Sequence, residues 1–443
     1  MKVCHKENGL ALMVLVFLLA IVVLGYSVFR LDAESLQNKR NIITADVLAE
    51  AKAALIGYAA GVNLEISGKR PGDLPCPDNH PVGDVNEGFS SEPCDTNAIG
   101  RFPWRTLRTS DLRDDSNERL WYAVSSNFKD NTRTAILNSD TNGTITVRNK
   151  LNTIVNNGTN QSAAIAVVIA PGTPLQRFDG LVQSRVEANY NMANHFLDNT
   201  LIEDNSSFID GSSDGFINGE ILDTNQGIIV NDKIVTITFQ ELMPLLEKRV
   251  ANEVLYCLRQ YALINSSGFD RHPWSTDMSA GFPNFQDSND NRLGRIPDIP
   301  FKDTSITSTG QMGDSWTPDC KINFGSWWSS WKEQVFYAVA WDKDPENFSS
   351  TPCDDSVLND CLTVTTQDGL QNHKKVVVMV SGRALTGQSR SNNVERSNLL
   401  NYLEGENVTS TVIGRNIKTP VGEDAMFEQK PMTTNFNDTV VFY

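Results

Sequence analysis

The chain has 443 residues, 40% of them hydrophobic and 21% charged, a composition typical of a globular protein with two or three domains. Its formal net charge is −16, and its lysines and arginines are not clustered. Nucleic-acid binding depends on clustered cations that neutralise phosphates, so the charge argues against nucleic acid as a partner.

A basic leader and an apolar run open the chain. The run from Leu10 to Phe29 contains no charge, and as a helix it would span about 30 Å, the thickness of a bilayer core. Lys2 and Lys6 precede it, which predicts a single-pass inner-membrane protein with a cytoplasmic N-terminus and a periplasmic or extracellular bulk. A cleaved secretory signal is the alternative, although the run is longer than a usual signal and residues 30–34 contain no small-residue cleavage site.

A helical pattern continues after the apolar run. Val47, Ala51, Leu55 and Tyr58 recur at a spacing of three to four residues, and Gly61 is a C-terminal stop signal. The sequence therefore predicts one long N-terminal helix that ends near residue 60, with a membrane-spanning half followed by an amphipathic half.

The leader that ends at Gly9, the apolar run that starts at Leu10 and the amphipathic extension resemble the class III leader and first helix of type IV pilins and type II secretion pseudopilins. The resemblance implies that a prepilin peptidase cuts after Gly9 and methylates Leu10. Most such proteins carry Glu at the fifth mature position, where this chain has Val14. Large tip pseudopilins and some minor pilins share this difference. A plain membrane anchor with an incidental Gly9 is the alternative.

The resemblance implies a function in assembly. The chain would be a minor or tip subunit of a type IV pilus or type II secretion pseudopilus, anchored in the inner membrane and contributing to filament assembly or surface contact. Its partners would be other pilin or pseudopilin subunits, reached through the N-terminal helix, together with the prepilin peptidase and the inner membrane. A stand-alone, membrane-anchored periplasmic or surface binding protein or adhesin is the main alternative.

The sequence shows no catalytic motif. Gly-x-Ser-x-Gly, His-Glu-x-x-His and the Walker loop are all missing, and the histidines are scattered. We therefore expect a protein that is not an enzyme, and an anchored hydrolase with an unrecognised site is the least favoured alternative.

Short segments of the first half recur in the second half, in the same order and about 200 residues further on. The matches include residues 50–59 with 253–262, 100–103 with 294–297, 121–124 with 336–339, 167–172 with 377–382, 183–185 with 388–390 and 196–198 with 402–404. They predict two homologous units, 30–200 and 227–443, joined by a polar linker at 201–226 and preceded by the leader (1–9) and the transmembrane segment (10–29).

The predicted fold class is α+β, with two duplicated pilin-like units that each combine a helix and an antiparallel sheet. Strands are predicted at residues 120–125, 144–147 and 163–170, and again at 335–340, 362–366 and 375–380. Residues 228–237 predict a hairpin that turns at Asn231-Asp232. The segment from Thr238 to Glu241 is a capping box for the second helix.

Two arginines stand in the repeated Gln-Ser-Arg segments. Arg185 precedes Asp198, and Arg390 precedes Glu404. A binding site is one interpretation. A repeated structural ion pair or backbone clamp is favoured, because structural devices are copied with a fold.

The second unit contains an insertion at about residues 298–334 that is rich in tryptophan. Trp316, Trp327, Trp328 and Trp331 are candidates for contact with a ligand, since aromatic clusters stack on sugars or anchor interfaces. Core packing is the favoured alternative.

Six cysteines follow the apolar run, which predicts disulfides in an oxidising compartment. The simplest local pairs are Cys76 with Cys94 and Cys353 with Cys361, and the remaining two are Cys257 and Cys320. No cofactor is expected. Oxygen donors at Asp287, Asn289 and Asn291 are weak calcium candidates, and solvated turns are favoured there.

Overall fold

A computed structural model of the chain describes residues 8–66, 68–130, 136–224, 227–264, 270–279, 285–287, 291–300, 315–324, 326–346, 361–408 and 426–443. Its first helix, α1, covers Asn8–Gly61, with side chains described at residues 15–19 and 35–61. A second helix, α2, covers Phe239–Ile264. Two short helices, α3 and α4, cover Ser326–Trp331 and Asn393–Arg396.

Strands form most of the remaining regular structure. In the first half they are β1 (Ile99–Arg101), β2 (Trp121–Val124), β3 (Val147–Arg148), β4 (Ile154–Asn156), β5 (Ala166–Ala170), β6 (Phe216–Ile217), β7 (Ile221–Leu222), β8 (Ile228–Val230) and β9 (Lys233–Ile237). In the second half they are β10 (Leu293–Arg295), β11 (Val335–Val339), β12 (Leu362–Thr366), β13 (Gly369–Lys374), β14 (Val376–Val380), β15 (Met426–Glu428) and β16 (Thr439–Phe442).

Each half contains a four-stranded antiparallel sheet, and the two sheets have equivalent strand orders. The first is β1-β2-β5-β9 and the second is β10-β11-β14-β16. Their registers also correspond, because Gly100 lies opposite Tyr122 just as Gly294 lies opposite Tyr337. Segments that repeat in the sequence therefore occupy equivalent places in the two sheets.

Smaller sheets lie beside these two. In the first half β3 pairs with β4 antiparallel and with β6 parallel. In the second half β12 pairs in the same two ways with β13 and β15. Strands β7 and β8 form a two-stranded sheet of their own.

Both faces of each four-stranded sheet are covered, since every residue of β2, β5, β11 and β14 is buried. One face of each sheet packs with α1 and α2 in a central core that includes Leu55, Val168 and Val378. The opposite faces pack into two outer cores, one around Trp121 and the other around Phe336. The central core is thus built by both halves together.

Helix α2 begins directly after Thr238, as the capping box predicts. The backbone N–H and the hydroxyl of Thr238 donate to the Glu241 carboxylate at 3.0 and 2.9 Å. The same carboxylate forms an ion pair with Lys52 of α1. The start of α2 is therefore tied to the neighbouring helix as well as capped.

Two disulfides have both cysteines among the described residues. Cys76 pairs with Cys94, which confirms the predicted local pair, and Cys257 pairs with Cys320. Cys361 is also disulfide-bonded, and Cys353 lies outside the described residues. Disulfides persist in oxidising compartments, so these bonds fit such an environment.

The predicted fold class is wrong. Two units of one helix and one antiparallel sheet were expected, whereas the described residues contain sixteen strands in five small sheets and are mainly β. The physical reason is that strands of two or three residues are defined by hydrogen bonds to distant strands. They leave no periodic pattern in the sequence.

The predicted membrane-spanning helix and the single-pass inner-membrane localisation are also wrong. Over the residues that the structure describes, no helix combines the length and the apolar character needed to cross a bilayer. From residue 35 onward α1 carries charges such as Lys39 and Arg40, which are costly in lipid. The side chains of Leu10, Val14 and Phe29 lie outside the described part.

The predicted hairpin at residues 228–237 is wrong as well. Strand β8 pairs with β7, whereas β9 pairs with β5 and completes the first sheet. The predicted linker at 201–226 contains β6 and β7, which belong to the first half. The first half therefore extends to Ile237, and α2 follows it at once.

Candidate functional site

A buried hydrogen-bond network surrounds Asp198 in the first half. Gln183 Nε2 donates to Asp198 Oδ1 at 2.9 Å, and the backbone N–H of Asn231 donates to Asp198 Oδ2 at 2.7 Å. The backbone N–H of Asp198 donates to Asp232 Oδ2, which also accepts from Asn205 Nδ2, both at 2.8 Å. The network joins the loop between β8 and β9 to the segments that contain Gln183 and Asp198.

The second half repeats these four hydrogen bonds around Glu404, which stands in place of Asp198. Gln388 Nε2 donates to Glu404 Oε1 at 2.8 Å, and the backbone N–H of Asn437 donates to Glu404 Oε2 at 3.0 Å. The backbone N–H of Glu404 donates to Asp438 Oδ2, which also accepts from Asn407 Nδ2, both at 2.9 Å. Such exact correspondence indicates a structural role in both halves.

Arg185 and Arg390 also lie in equivalent surroundings. The guanidinium carbon of Arg185 lies 4.4 Å from the ring centre of Phe196, and that of Arg390 lies 4.4 Å from the ring centre of Tyr402. Arg185 forms its ion pair with Glu118, at 3.4 Å, rather than with Asp198. The two arginines therefore stack on rings instead of pairing directly with the acids that follow them in the sequence.

Arg390 takes its acid from the other half of the molecule. Its Nη1 donates to Asp140 Oδ2 at 2.9 Å. The same carboxylate accepts from Gln334 Nε2 at 2.7 Å and from the backbone N–H of Ala384 at 3.0 Å. Asp140 thus fastens a loop of the first half to the second half, a contact that the sequence did not predict.

Each network contains a pair of buried acids. Burial and the neighbouring Asp198 carboxylate hold the pKa of Asp232 well above its usual value, and burial raises the pKa of Asp198 to about 6. Burial and the Glu404 carboxylate raise the pKa of Asp438 in the same way. In each pair, burial and the neighbouring carboxylate therefore both disfavour the ionised form of the aspartate.

Asp232 and Asp438 are the members of this network that the sequence interpretation missed. Each follows an asparagine, so the Asn-Asp dipeptide at 231–232 recurs at 437–438. That repetition was a usable signal. The predicted hairpin turn at Asn231-Asp232 accounts for the first copy and so conceals the repetition.

The tryptophans of the insertion are buried. Trp316, Trp327, Trp328 and Trp331 are exposed by 5% or less and belong to the central core. The ring of Trp316 lies 5.8 Å from that of Tyr261 in α2. Their burial supports the core-packing alternative and removes them as a surface on which a sugar or a protein could dock.

Among the calcium candidates, Asn289 lies outside the described residues. Asn291 is 2% exposed, and its amide Nδ2 donates to the hydroxyl of Ser275 at 2.9 Å. Burial raises the pKa of Asp287 to about 6. Within the described ranges no three His, Cys, Asp or Glu side chains converge as a metal site, and calcium binding stays a prediction.

The exposed stretch of α1 at residues 35–43 is the feature that bears most directly on function. Every residue of this stretch is exposed, and the first buried side chains of α1 after it are Thr44 and Leu48, although Gln37, Arg40 and Asn41 border a pocket with residues of the body. The hydroxyl of Thr44 donates to Asp115 Oδ1 at 2.9 Å, which fixes the point where α1 leaves the body. Gly9 and Leu10, the predicted processing site, lie near the start of the same helix.

Comparison with known proteins adds no relative to this description. Neither a family model, nor a curated protein, nor a solved structure matches the chain.

Proposed function

We propose that the chain is a minor subunit of a filament of the type IV pilus or type II secretion pseudopilus class and that it joins other subunits through α1. The observation that carries this proposal is the exposure of apolar side chains on α1. Leu36, Ile42 and Ile43 are 60%, 59% and 50% exposed. Large aliphatic side chains are more often buried, and contact with further helices would bury these.

The position of Leu36 supports a helix-to-helix contact. Thr44, Leu48, Ala51 and Leu55 form the stripe of α1 that faces the body, and all four are buried. With about 100° of rotation per residue, Leu36 and Ile43 lie about 80° and 100° round the helix axis from Thr44, so the two share one flank beside that stripe. The stripe itself continues as Gln37, Arg40 and Asn41, which border a pocket with residues of the body, whereas a further helix packed on the flank would bury Leu36 and Ile43.

Cysteine cross-linking tests the proposed contact. Leu36→Cys and Ile43→Cys variants, expressed with the other components of a filament system, should cross-link to a neighbouring subunit. Ala49→Cys is the matched control, because Ala49 is exposed on the other side of α1. Equal cross-linking at all three positions, or at none, would contradict assembly through this face.

The predicted processing provides a separate test. Co-expression with a prepilin peptidase should remove the first nine residues and leave a methylated Leu10 at the new N-terminus. Mass spectrometry of the terminal peptide measures both changes, and Gly9→Val should block them. An intact N-terminus in the presence of an active peptidase would remove the pilin assignment.

A further inference from the structure

The second half contains a cavity of about 450 Å³ near the end of α2. It is lined by Arg259, Ala262, Leu263, Asp270, Lys375 and Tyr443. The fully buried His272 lies behind it, with its Nε2 2.8 Å from the Tyr443 hydroxyl. Cavities of roughly 300–1,000 Å³ with a few convergent polar groups are typical of small-molecule sites.

Backbone hydrogen bonds show which residues of the first half occupy the equivalent place. The N–H of His272 donates to the carbonyl of Lys343 at 2.9 Å, as the N–H of Leu74 donates to that of Phe128 at 2.7 Å. His272 and Lys343 therefore stand where the first half has two apolar side chains.

The same correspondence holds at the sheet. The N–H of Lys375 donates to the carbonyl of Tyr443 at 2.7 Å, as the N–H of Ile165 donates to that of Ile237 at 2.8 Å. On the helix, the repeated segments 50–59 and 253–262 align Arg259 with Ile56. Five apolar positions of the first half are thus polar in the second half. Arg259, Lys375 and Tyr443 line the cavity, and His272 lies behind it.

The fold itself does not require polar residues here. Leu74, Phe128, Ile165 and Ile237 are fully buried in the central core, where they stabilise the first half by ordinary packing. Replacing Leu74 and Phe128 by His272 and Lys343, which are also buried, costs free energy through desolvation, whereas Arg259 is exposed and Lys375 is half-buried. A binding function explains why the second half carries them.

Only some of the charged groups at and behind the cavity have an oppositely charged partner. Lys375 forms an ion pair with Asp270, and Lys343 forms one with Asp342 at 3.0 Å. Burial lowers the pKa of His272 to about 4, so its ring is neutral at pH 7. Arg259 has its guanidinium carbon 4.4 Å from the ring centre of Tyr443, and no described carboxylate pairs with it.

We propose that this cavity binds a small organic anion with an apolar body. The guanidinium of Arg259 offers a planar fork of donors that matches a carboxylate or a phosphate group. Lys375 adds a second donor at the sheet, while Ala262, Leu263 and the ring of Tyr443 provide the apolar wall. This site goes beyond filament assembly and does not depend on it.

Titration calorimetry of the whole chain tests the site with three probes. Benzoate and phenyl phosphate carry the two candidate anionic groups on the same ring, and benzylammonium carries the opposite charge. We expect saturable binding of at least one anion and none of the cation. Which anion binds more tightly identifies the anionic group that the site prefers.

Two variants take their residues from the first half. Arg259→Ile and Lys375→Ile introduce the side chain that the equivalent position already tolerates, so the fold should persist, which circular dichroism and thermal unfolding verify. Arg259→Ile should weaken anion binding by about 10- to 100-fold, the effect of losing charge-assisted hydrogen bonds. Lys248→Ile is the matched control, since Lys248 is exposed on α2 outside the cavity.

The proposal is overturned by any of three results. They are the absence of saturable binding for both anions, equal binding of benzylammonium, and unchanged affinity in a folded Arg259→Ile variant. None of these outcomes bears on cross-linking through α1, so the two proposals fail or stand separately.

Discussion

At the residue scale, the Asn-Asp dipeptides at 231–232 and 437–438 perform the same task in each half. The asparagine N–H holds one acid of the pair, and the aspartate accepts from the backbone of that acid. Each aspartate is fully or nearly fully buried. Such a site needs an acceptor of the correct shape more than it needs a charge.

Replacement of Asp232 distinguishes shape from charge. Asp232→Asn retains the acceptor for Asp198 N–H and Asn205 Nδ2, and we expect a free energy of unfolding within about 1 kcal/mol of the parent at pH 7. Asp232→Ala leaves both donors unpaired and should cost about 2–4 kcal/mol. Urea unfolding measures both, and an equal loss in the two variants would mean that the charge matters.

Glu247 of α2 makes stability depend on pH. It is fully buried, accepts from the Thr439 hydroxyl at 3.1 Å, and burial raises its pKa to about 8. In the unfolded chain the pKa of a Glu is lower, about 4.3. The contribution of protonated Glu247 to the free energy of unfolding is therefore complete below that pH and is lost as the pH rises towards 8.

The Glu247→Gln variant should therefore lose less stability than the parent between pH 5 and pH 8. The difference in slope is expected to reach about 1 kcal/mol per pH unit. Urea unfolding at several pH values measures it, with Glu50→Gln on the exposed side of α1 as the control. Parallel pH profiles for parent and Glu247→Gln would show that Glu247 is ionised in the folded protein.

At the element scale, the two disulfides constrain chain segments of different length. Cys257–Cys320 joins residues 63 apart and holds α2 to the tryptophan-bearing segment, whereas Cys76–Cys94 joins residues 18 apart. Replacing both cysteines of the longer loop by alanine should therefore cost about 1 kcal/mol more than replacing those of the shorter loop. Thermal unfolding of the two double variants makes the comparison, and a larger loss at Cys76–Cys94 would contradict it.

The longer strands could be predicted because they are runs of apolar and β-branched residues. Strands β5 and β14 lie inside the predicted segments 163–170 and 375–380 for this reason. Strand β6 could not be predicted, since its two residues lie in a polar segment and pair with the distant β3. Strand β9 was misassigned because local alternation says nothing about which strand becomes its partner.

At the scale of the whole molecule, the halves share one central core, so they should unfold together. Side chains from α1, α2 and both four-stranded sheets contribute to that core. We expect a single calorimetric transition with equal calorimetric and van't Hoff enthalpies. Two resolved transitions would mean that the halves are independent domains.

The candidate sites differ in how far the sequence could reveal them. The arginines at 185 and 390 were found because their Gln-Ser-Arg segments are contiguous and repeated. The cavity was not found, because its lining runs from Arg259 to Tyr443 and converges only in the folded chain. The polar character of the cavity becomes visible when each residue is compared with its structural equivalent in the first half.

The contact between Asp140 and Arg390 makes the second half depend on the first half for one counter-charge. Arg390 is 7% exposed and receives its counter-charge from the first half, whereas Arg185 has Glu118 in its own half. A protein engineer who isolates the second half as a scaffold would leave that cation buried and unbalanced. Glu333, which stands in the second half where Glu118 stands in the first, forms its ion pair with Arg396 at 3.3 Å and does not replace Asp140.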